Sequence, residues 1–550
     1  MIKYSQKQKR GSDMQKQHQN HNFRKNIILG KETCVALNTD KSGNNLNSIV
    51  IGGSGSGKSF HVIEPNLLQA NSSYVITDPD GYLYEKYGYY LQHMGYQIRC
   101  LNLVEPDKSD HYNPLAYIRS ERDIETLVDA LIKSTSRPSD DDFFTGCEFF
   151  LLCALIGYLR YHASEKEQNF SNVIRLILAL VPNEKDISKQ SAVDELFDAV
   201  RKENSDDFSV KQYDRLIFSA GRTLKSVLVS ALVRLKDFNL DEVKCMTDSD
   251  DLHLEKLSDE KTALFIIVPQ TDHRLMFLAA LLCMQSYERN LYYCAYTAGF
   301  SQVVIDEDGE VAKVFRAESE KEISDAQQAA EKWLAKAKNA AIRECPDLRR
   351  AGNGEDKTSK LYVIETDDED GRTVFGFRGS RELAEKALDK LKGGKVVANT
   401  YPRCPVNVQF LLGEFADLPY MPEFPFLIRA LRGSGISVTI AIQNMEQLER
   451  VYGERWIELA DNCDFCIYLG GGTTRKTFLW LSERLRLSGS RTKKIGSMSR
   501  SRCMIHVNGH QPVVVDKYPT TEHPGWQIAS GLAAYSYERE KETEEALRAI

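Results

Sequence analysis

From about residue 46 the chain alternates short apolar runs with longer stretches of helical period. NSIVIG, SYVITD, YQIRCLNL, TALFIIVP, VQFLL, ISVTIAIQ and CDFCIYLG are rich in apolar and β-branched residues. Strands this apolar are buried on both faces, which predicts an α/β fold with a mainly parallel sheet between helices. Two segments break the rhythm. Residues 121–245 show helical periodicity, as in DIETLVDALIKS and AGRTLKSVLVSALVRLKDF, and almost no strand signal, so they read as an inserted all-α domain. Residues 301–400 carry a weak repeat, in which VVIDEDGEVAKVFRAESEKE is echoed by YVIETDDEDGRTVFGFRGSRE. Each copy predicts strand, turn, strand and amphipathic helix, with Asp308-Gly309 and Asp370-Gly371 as hairpin turns. A calcium loop would need later ligands and a terminal glutamate that DEDG lacks.

Composition adds limits. At 550 residues the chain exceeds one simple core, and its 42% hydrophobic and 27% charged content is that of a globular protein. A net charge of -7 excludes a uniformly basic nucleic-acid binder and leaves room for a local basic channel. The twelve cysteines are scattered, which suits a reducing compartment, and the lone CxxC at Cys463 and Cys466 lies in an apolar run without further metal ligands. The opening MIKYSQKQKRGSDMQKQHQNHNFRKN reads as a disordered basic tail without a signal peptide. The longest apolar runs, FFLLCALIGYL (149–159) and LMFLAALLCM (275–284), fall short of the roughly 20 residues that cross a bilayer. The expectation is a cytoplasmic chain with no transmembrane segment.

The sharpest chemical signal is GGSGSGKS at 52–59, which fits G-x4-G-K-[ST] between an apolar strand and a helical stretch containing Pro65. Glycines let backbone N–H groups turn inward around phosphate oxygens, where a Cβ would intrude. Gly52, Gly53, Ser54, Gly55, Ser56, Gly57, Lys58 and Ser59 are therefore the expected ATP cradle, with Lys58 on the outer phosphates and Ser59 on Mg2+. The second half of such a site lies at the end of another strand. Here VQFLL ends in Gly413-Glu414, with glycine where an aspartate normally holds the metal.

The ordered set NLNSIVIGGSGSGKS, TDPDGYLY (77–84), GYQIRCLNLVEPDKSDHYNPLAYI (95–118), AGRTLKSVLVSALVRL (220–235), VQFLLGEFADLPYMPEF (408–424), LRGSGISVTIAIQNMEQLERVYG (431–453), NCDFCIYLGGG and KYPTTEHPG resembles the type IV secretion coupling proteins. These are the VirD4/TraG family of conjugal-transfer ATPases, here closest in character to those on Gram-positive mobile elements. The resemblance spans residues 27 to 526 apart from the 301–400 insertion. It implies a RecA-like P-loop motor assembled as a ring of six, with an all-α domain that meets relaxase and DNA-processing proteins. ATP and Mg2+ would drive single-stranded DNA toward channel proteins at the inner face of the membrane.

The resemblance also implies roles. Glu414 would position water, Arg432 would reach a neighbour's γ-phosphate, and Gln443 would sense that phosphate. A surface salt bridge for Arg432 and a strand-end cap for Gln443 are the plainer alternatives. Departures from the family pattern are Gly413, Asp80 within Asp78-Pro79-Asp80-Gly81, and Ser434. Asp78, at a strand end, is a candidate to replace the missing metal carboxylate in part, as is Asp80. The densest basic run, RLRLSGSRTKKIGSMSRSR (484–502), offers Arg491, Lys493 and Lys494 as DNA contacts, or is a solvated loop. The expected division is a tail at 1–26, motor segments at 27–120, 246–300 and 401–526, the all-α insertion at 121–245, the ββα insertion at 301–400, and a C-terminal helix or tail at 527–550. An FtsK- or HerA-like translocase outside secretion and a non-hydrolysing ATP-binding scaffold remain open as alternatives.

Overall fold

A computed structural model describes residues 25–37, 44–136, 141–180, 190–346, 360–368, 371–399, 403–431, 433–471, 474–486 and 498–532. In chain order its strands are β1 (Asn26–Gly30), β2 (Thr33–Ala36), β3 (Ser48–Ile51), β4 (Ser73–Pro79), β5 (Gln97–Asn102) and β6 (Thr262–Val268). Then come β7 (Gln302–Ile305), β8 (Val311–Phe315), β9 (Ala341–Pro346), β10 (Lys360–Asp368), β11 (Gly371–Arg378) and β12 (Lys395–Ala398). The last five are β13 (Val408–Leu412), β14 (Ile436–Ile442), β15 (Phe465–Tyr468), β16 (Arg502–Val507) and β17 (Val513–Asp516).

The central sheet runs β17-β16-β15-β3-β14-β13-β4-β6-β5. Its pairings from β15 to β5 are parallel, and β16 and β17 close one edge antiparallel. Alternation explains the continuously apolar strands. Ile49, Ile51 and Val75 join one core, while Val50, Tyr74 and Ile76 join the other. Every residue of β3 and β14 is buried, since helices cover both faces.

Between Glu121 and Thr247 the described residues form seven α-helices. The helix Asp142–His162 has 21 residues, longer than its apolar run suggests, because polar and aromatic residues at both ends extend it. By length and composition it would cross a bilayer, yet its middle turns, Leu151–Ile156, are fully buried among the neighbouring helices. The buried charges Arg234 and Glu148 pair at 2.6 Å, and Arg234 also donates to Thr135 Oγ1, while Glu148 Oε1 is buried without a partner.

The insertion carries a feature that its repeat does not reveal. Two small sheets form, ordered β12-β7-β8 and β11-β10-β9. The strand that follows the first helix (Ile323–Lys338) pairs with the second unit, and the strand that follows the second helix (Arg381–Lys392) returns to the first. The two ββαβ units thus exchange their last strands. Trp333 packs edge-on to Phe375 across the pair, with ring centroids 4.9 Å apart. The cysteines also differ from the scattered, unpaired expectation: Cys294 and Cys404 form a disulfide. They lie 110 positions apart in sequence and meet because the insertion leaves and re-enters the nine-stranded domain at one point.

Candidate nucleotide site

The phosphate loop leaves β3 at the centre of the sheet, between β14 and β15. Gly52 N–H donates to Ile442 O and Gly53 N–H to Gly470 O, so strand ends on both sides set its path. Gly55 and Gly57 have φ of 70° and 84°, and a Cβ on Gly57 would lie 2.5 Å from the His61 ring. The loop passes into a wide turn, Ser59–Ile63, and then the helix Glu64–Leu68, whose first turn accommodates Pro65 without a break. Ser59 opens this turn and is exposed. Ser56 Oγ is buried with no hydrogen-bond partner, so the loop carries an unused polar group that fits a phosphate oxygen.

Three of the predicted residues meet here. Lys58, with 8% of its side chain exposed, places Nζ 3.0 Å from Glu414 Oε1 and 3.1 Å from Gly52 O. Gln443 Nε2 donates to the other oxygen, Glu414 Oε2, at 3.3 Å. Each comes from a different strand end (β3, β13 and β14), and adjacent parallel strands bring their C-terminal ends together. Glu414 itself sits in the left-handed region (φ 48°), which turns its side chain back over the loop. Beyond it, burial first and then the Glu414 charge push the Asp417 carboxyl upward.

Asp78 is not brought to Ser59. Its carboxylate is fully buried and accepts the N–H groups of Leu83 at 2.9 Å and Tyr84 at 2.7 Å, so it anchors the start of the helix Tyr82–His93. Burial pushes its pKa up to about 7. Asp80 Oδ1 accepts from Gln270 N–H on the same sheet edge. Arg432, Arg491, Lys493 and Lys494 lie outside the described residues.

The site also contains residues that local patterns did not single out. Lys517, from the segment after β17, is buried and donates to Ser56 O at 2.9 Å. Tyr518 O meets His61 Nδ1 at 2.9 Å, and Thr520 Oγ1 bonds Phe60 O. The KYPTTEHPG segment therefore straps the outside of the loop. Its sequence signal was membership in the ordered motif set, without an assigned contact.

A phosphate loop at the centre of a mainly parallel sheet, with a glutamate and a glutamine at adjacent strand ends, defines a RecA-like P-loop nucleotide-binding protein. Residues 7–293 match the family described as Type IV secretory system conjugative DNA transfer, and residues 407–512 match the TraM recognition site of TraD and TraG. The chain belongs to this conjugative DNA-transfer family, as a coupling protein of the TraG/VirD4 type.

Solved structures with the same fold include the unbound conjugative coupling protein TrwB, 14% identical, TM-score 0.52, spanning 92% of this chain and 91% of that one. TrwB in complex with ADP and Mg2+ is 14% identical with a TM-score of 0.53, and covers 92% of both chains. TrwB with the ATP analogue ADPNP is 13% identical, TM-score 0.50, with the same coverage. No curated protein matches the chain.

Proposed function

We propose that the chain is an ATP-driven coupling protein that delivers a relaxase–single-stranded DNA complex to a type IV secretion channel. The observation that carries this reading is the contact of Lys58 and Gln443 with the two oxygens of Glu414. Gly52 to Ser59 would hold MgATP through loop N–H groups, Lys58 and the Ser59 hydroxyl, as TrwB holds ADP with Mg2+. The bound nucleotide supplies the phosphoanhydride and the metal charge. Lys58 exchanges its carboxylate partner for phosphate oxygen, which frees Glu414 Oε1 to take a proton from water while Gln443 holds Oε2 in place. Arg432 reaches the neighbouring subunit in a ring of six, and Arg491, Lys493 and Lys494 face DNA. Partners dock on the all-α unit, where Phe218 is 90% exposed and, on the next helix, Val229 and Val233, one turn apart, are exposed as well. Recruitment to the inner face of the membrane comes through the channel proteins.

A second reading is favoured by one observation: residue 413 has no carboxylate, and Asp78 is engaged elsewhere. On that reading the chain binds ATP without turning it over and serves as a scaffold. Steady-state ATP hydrolysis with and without single-stranded DNA separates the two. The motor reading expects turnover in the native chain. An idle native chain, with turnover restored by Gly413→Asp, would establish the scaffold. A Cβ at 413 meets Thr77 O at 3.5 Å and Ile63 Cδ1 at 3.3 Å, so the substitution requires the end of the Ile63 side chain to give by a few tenths of an ångström.

A further inference from the structure

Away from the nucleotide site, three side chains on separate segments converge. Cys245 lies on the helix Asp241–Thr247, His111 on the chain after β5, and Asp251 on the chain before β6. His111 Nε2 is 4.0 Å from Cys245 Sγ, and His111 Nδ1 is 2.5 Å from Asp251 Oδ2. The backbone fixes the arrangement independently of these side chains. Asp251 N–H donates to His111 O at 2.9 Å, and Tyr112 N–H donates to Met246 O at 2.7 Å. Cys245 is free and exposed. Asp251 also lines a cavity of about 470 Å3 between motor and insertion, with Arg99, His253, Lys313, Trp333 and Phe375.

We infer that Cys245 is a reactive thiol site, set beside His111 and oriented through Asp251, that takes small disulfides by thiol–disulfide exchange. A cysteine beside an imidazole that a carboxylate orients is the arrangement that activates sulfur nucleophiles. The Asp251 hydrogen bond is the main reason that His111 titrates at about 9, so the imidazolium is present at neutral pH. Cys245 sits in the last turn of its helix, where the helix end gives the sulfur no help, so His111 is the activating group beside it. In the exchange the Cys245 sulfur attacks one sulfur of the disulfide, and the old S–S bond breaks as the new one forms. The departing thiolate takes the proton held at His111 Nε2, so Cys245 is oxidised and the released thiol is reduced.

The test is the rate of Cys245 alkylation by iodoacetamide at pH 7, read by mass spectrometry on the full chain, native and unfolded in denaturant. An ordinary exposed thiol reacts equally in both states, and a shielded one reacts more slowly when native. The inference expects native Cys245 to react about tenfold faster than unfolded. His111→Ala should bring it down to the unfolded rate, and Asp251→Asn to an intermediate one. Incubation with glutathione disulfide should add one adduct to the native chain and none to Cys245→Ser. A native rate no higher than the unfolded rate overturns the inference without any variant. So does a native rate that His111→Ala leaves unchanged while nucleotide binding is retained.

Discussion

The nucleotide site and the ββα insertion both left a trace in the sequence, one as a sharp motif and the other as a weak repeat, and they relate to it in opposite ways. At the phosphate loop, residue identity is the constraint. Gly57 has φ 84°, Lys58 must carry charge, and Glu414 must be a carboxylate, so single positions can be named. In the insertion the constraint is burial. Val304, Ala330 and Leu334 fill one small core, and Ala340, Ile364, Ala384 and Leu388 the other, and many apolar residues would serve. Chemistry leaves names in a sequence, whereas packing leaves only a period.

The largest effect expected is at Lys58. Lys58→Ala removes the charge at the centre of the site and leaves Glu414 without its cation, so ATP hydrolysis should fall by about 10³ or more, measured as steady-state phosphate release. Nucleotide affinity should fall with it. Residual turnover above a tenth of native would show that the site is not the one that hydrolyses.

Glu414→Gln comes next and sharpens the contrast between binding and chemistry. The amide keeps the shape and a hydrogen bond to Gln443 but takes no proton from water. Turnover should drop by about 10²–10³ while fluorescent-nucleotide affinity stays near native. Equal losses in both would make Glu414 a structural partner of Lys58 alone.

The strap behind the loop yields a smaller, pH-dependent effect. His523 is buried; Gly525 N–H donates to its Nδ1 and its Nε2 meets Gln69 Oε1, an arrangement that requires the neutral ring. Burial lowers its pKa to about 4, against about 6.5 when unfolded. Between those values the unfolded chain binds more protons, so stability rises with pH through the window and is lost on acidification. His523→Gln should flatten that slope by on the order of 2 kcal/mol between pH 6.5 and 4, read as the difference in melting temperature from native. Identical slopes in the two proteins would remove His523 as the titrating group.

The legibility of the fold follows the same division. The seven β-rich runs all became strands of one sheet, because burial on both faces leaves an unbroken apolar signal. The antiparallel edge went unread: β17 alternates little and is mostly exposed. Lys58, Glu414 and Gln443 were readable one by one at strand ends, and their meeting follows from parallel neighbours. Lys517 was not readable, since it touches Ser56 across 461 positions and its own surroundings carry no pattern for that contact. Asp78 was placed on the right edge and given the wrong partner. Its signal was the helix that starts four residues later, whose N–H groups it accepts. The strand exchange was invisible because β9 and β12 each satisfy the same pattern in either unit.

The smallest expected effect tests the comparison itself. If only packing constrains the insertion, replacing residues 302–398 with a short glycine-serine linker should leave the motor intact. The geometry permits it: Gln302 and Ala398 are paired neighbours, and the Cα atoms of Cys294 and Cys404 are 5.5 Å apart. The interactions that this would remove are Arg316 on Asp259, Ser258 and the Tyr293 ring, Lys261 on Glu310, and Gly379 N–H on His93 O. Asp259, held at about 6 by burial, would become solvated, which removes a cost. Nucleotide affinity and turnover should stay within about a factor of two of native, as expected for sites that share no partners. The point of vulnerability is the neck, where Cys404 N–H donates to Ser434 O, two residues beyond Arg432. A selective loss of turnover with affinity preserved would therefore mean that the insertion holds the backbone at Ser434 in place, and that its role goes beyond packing.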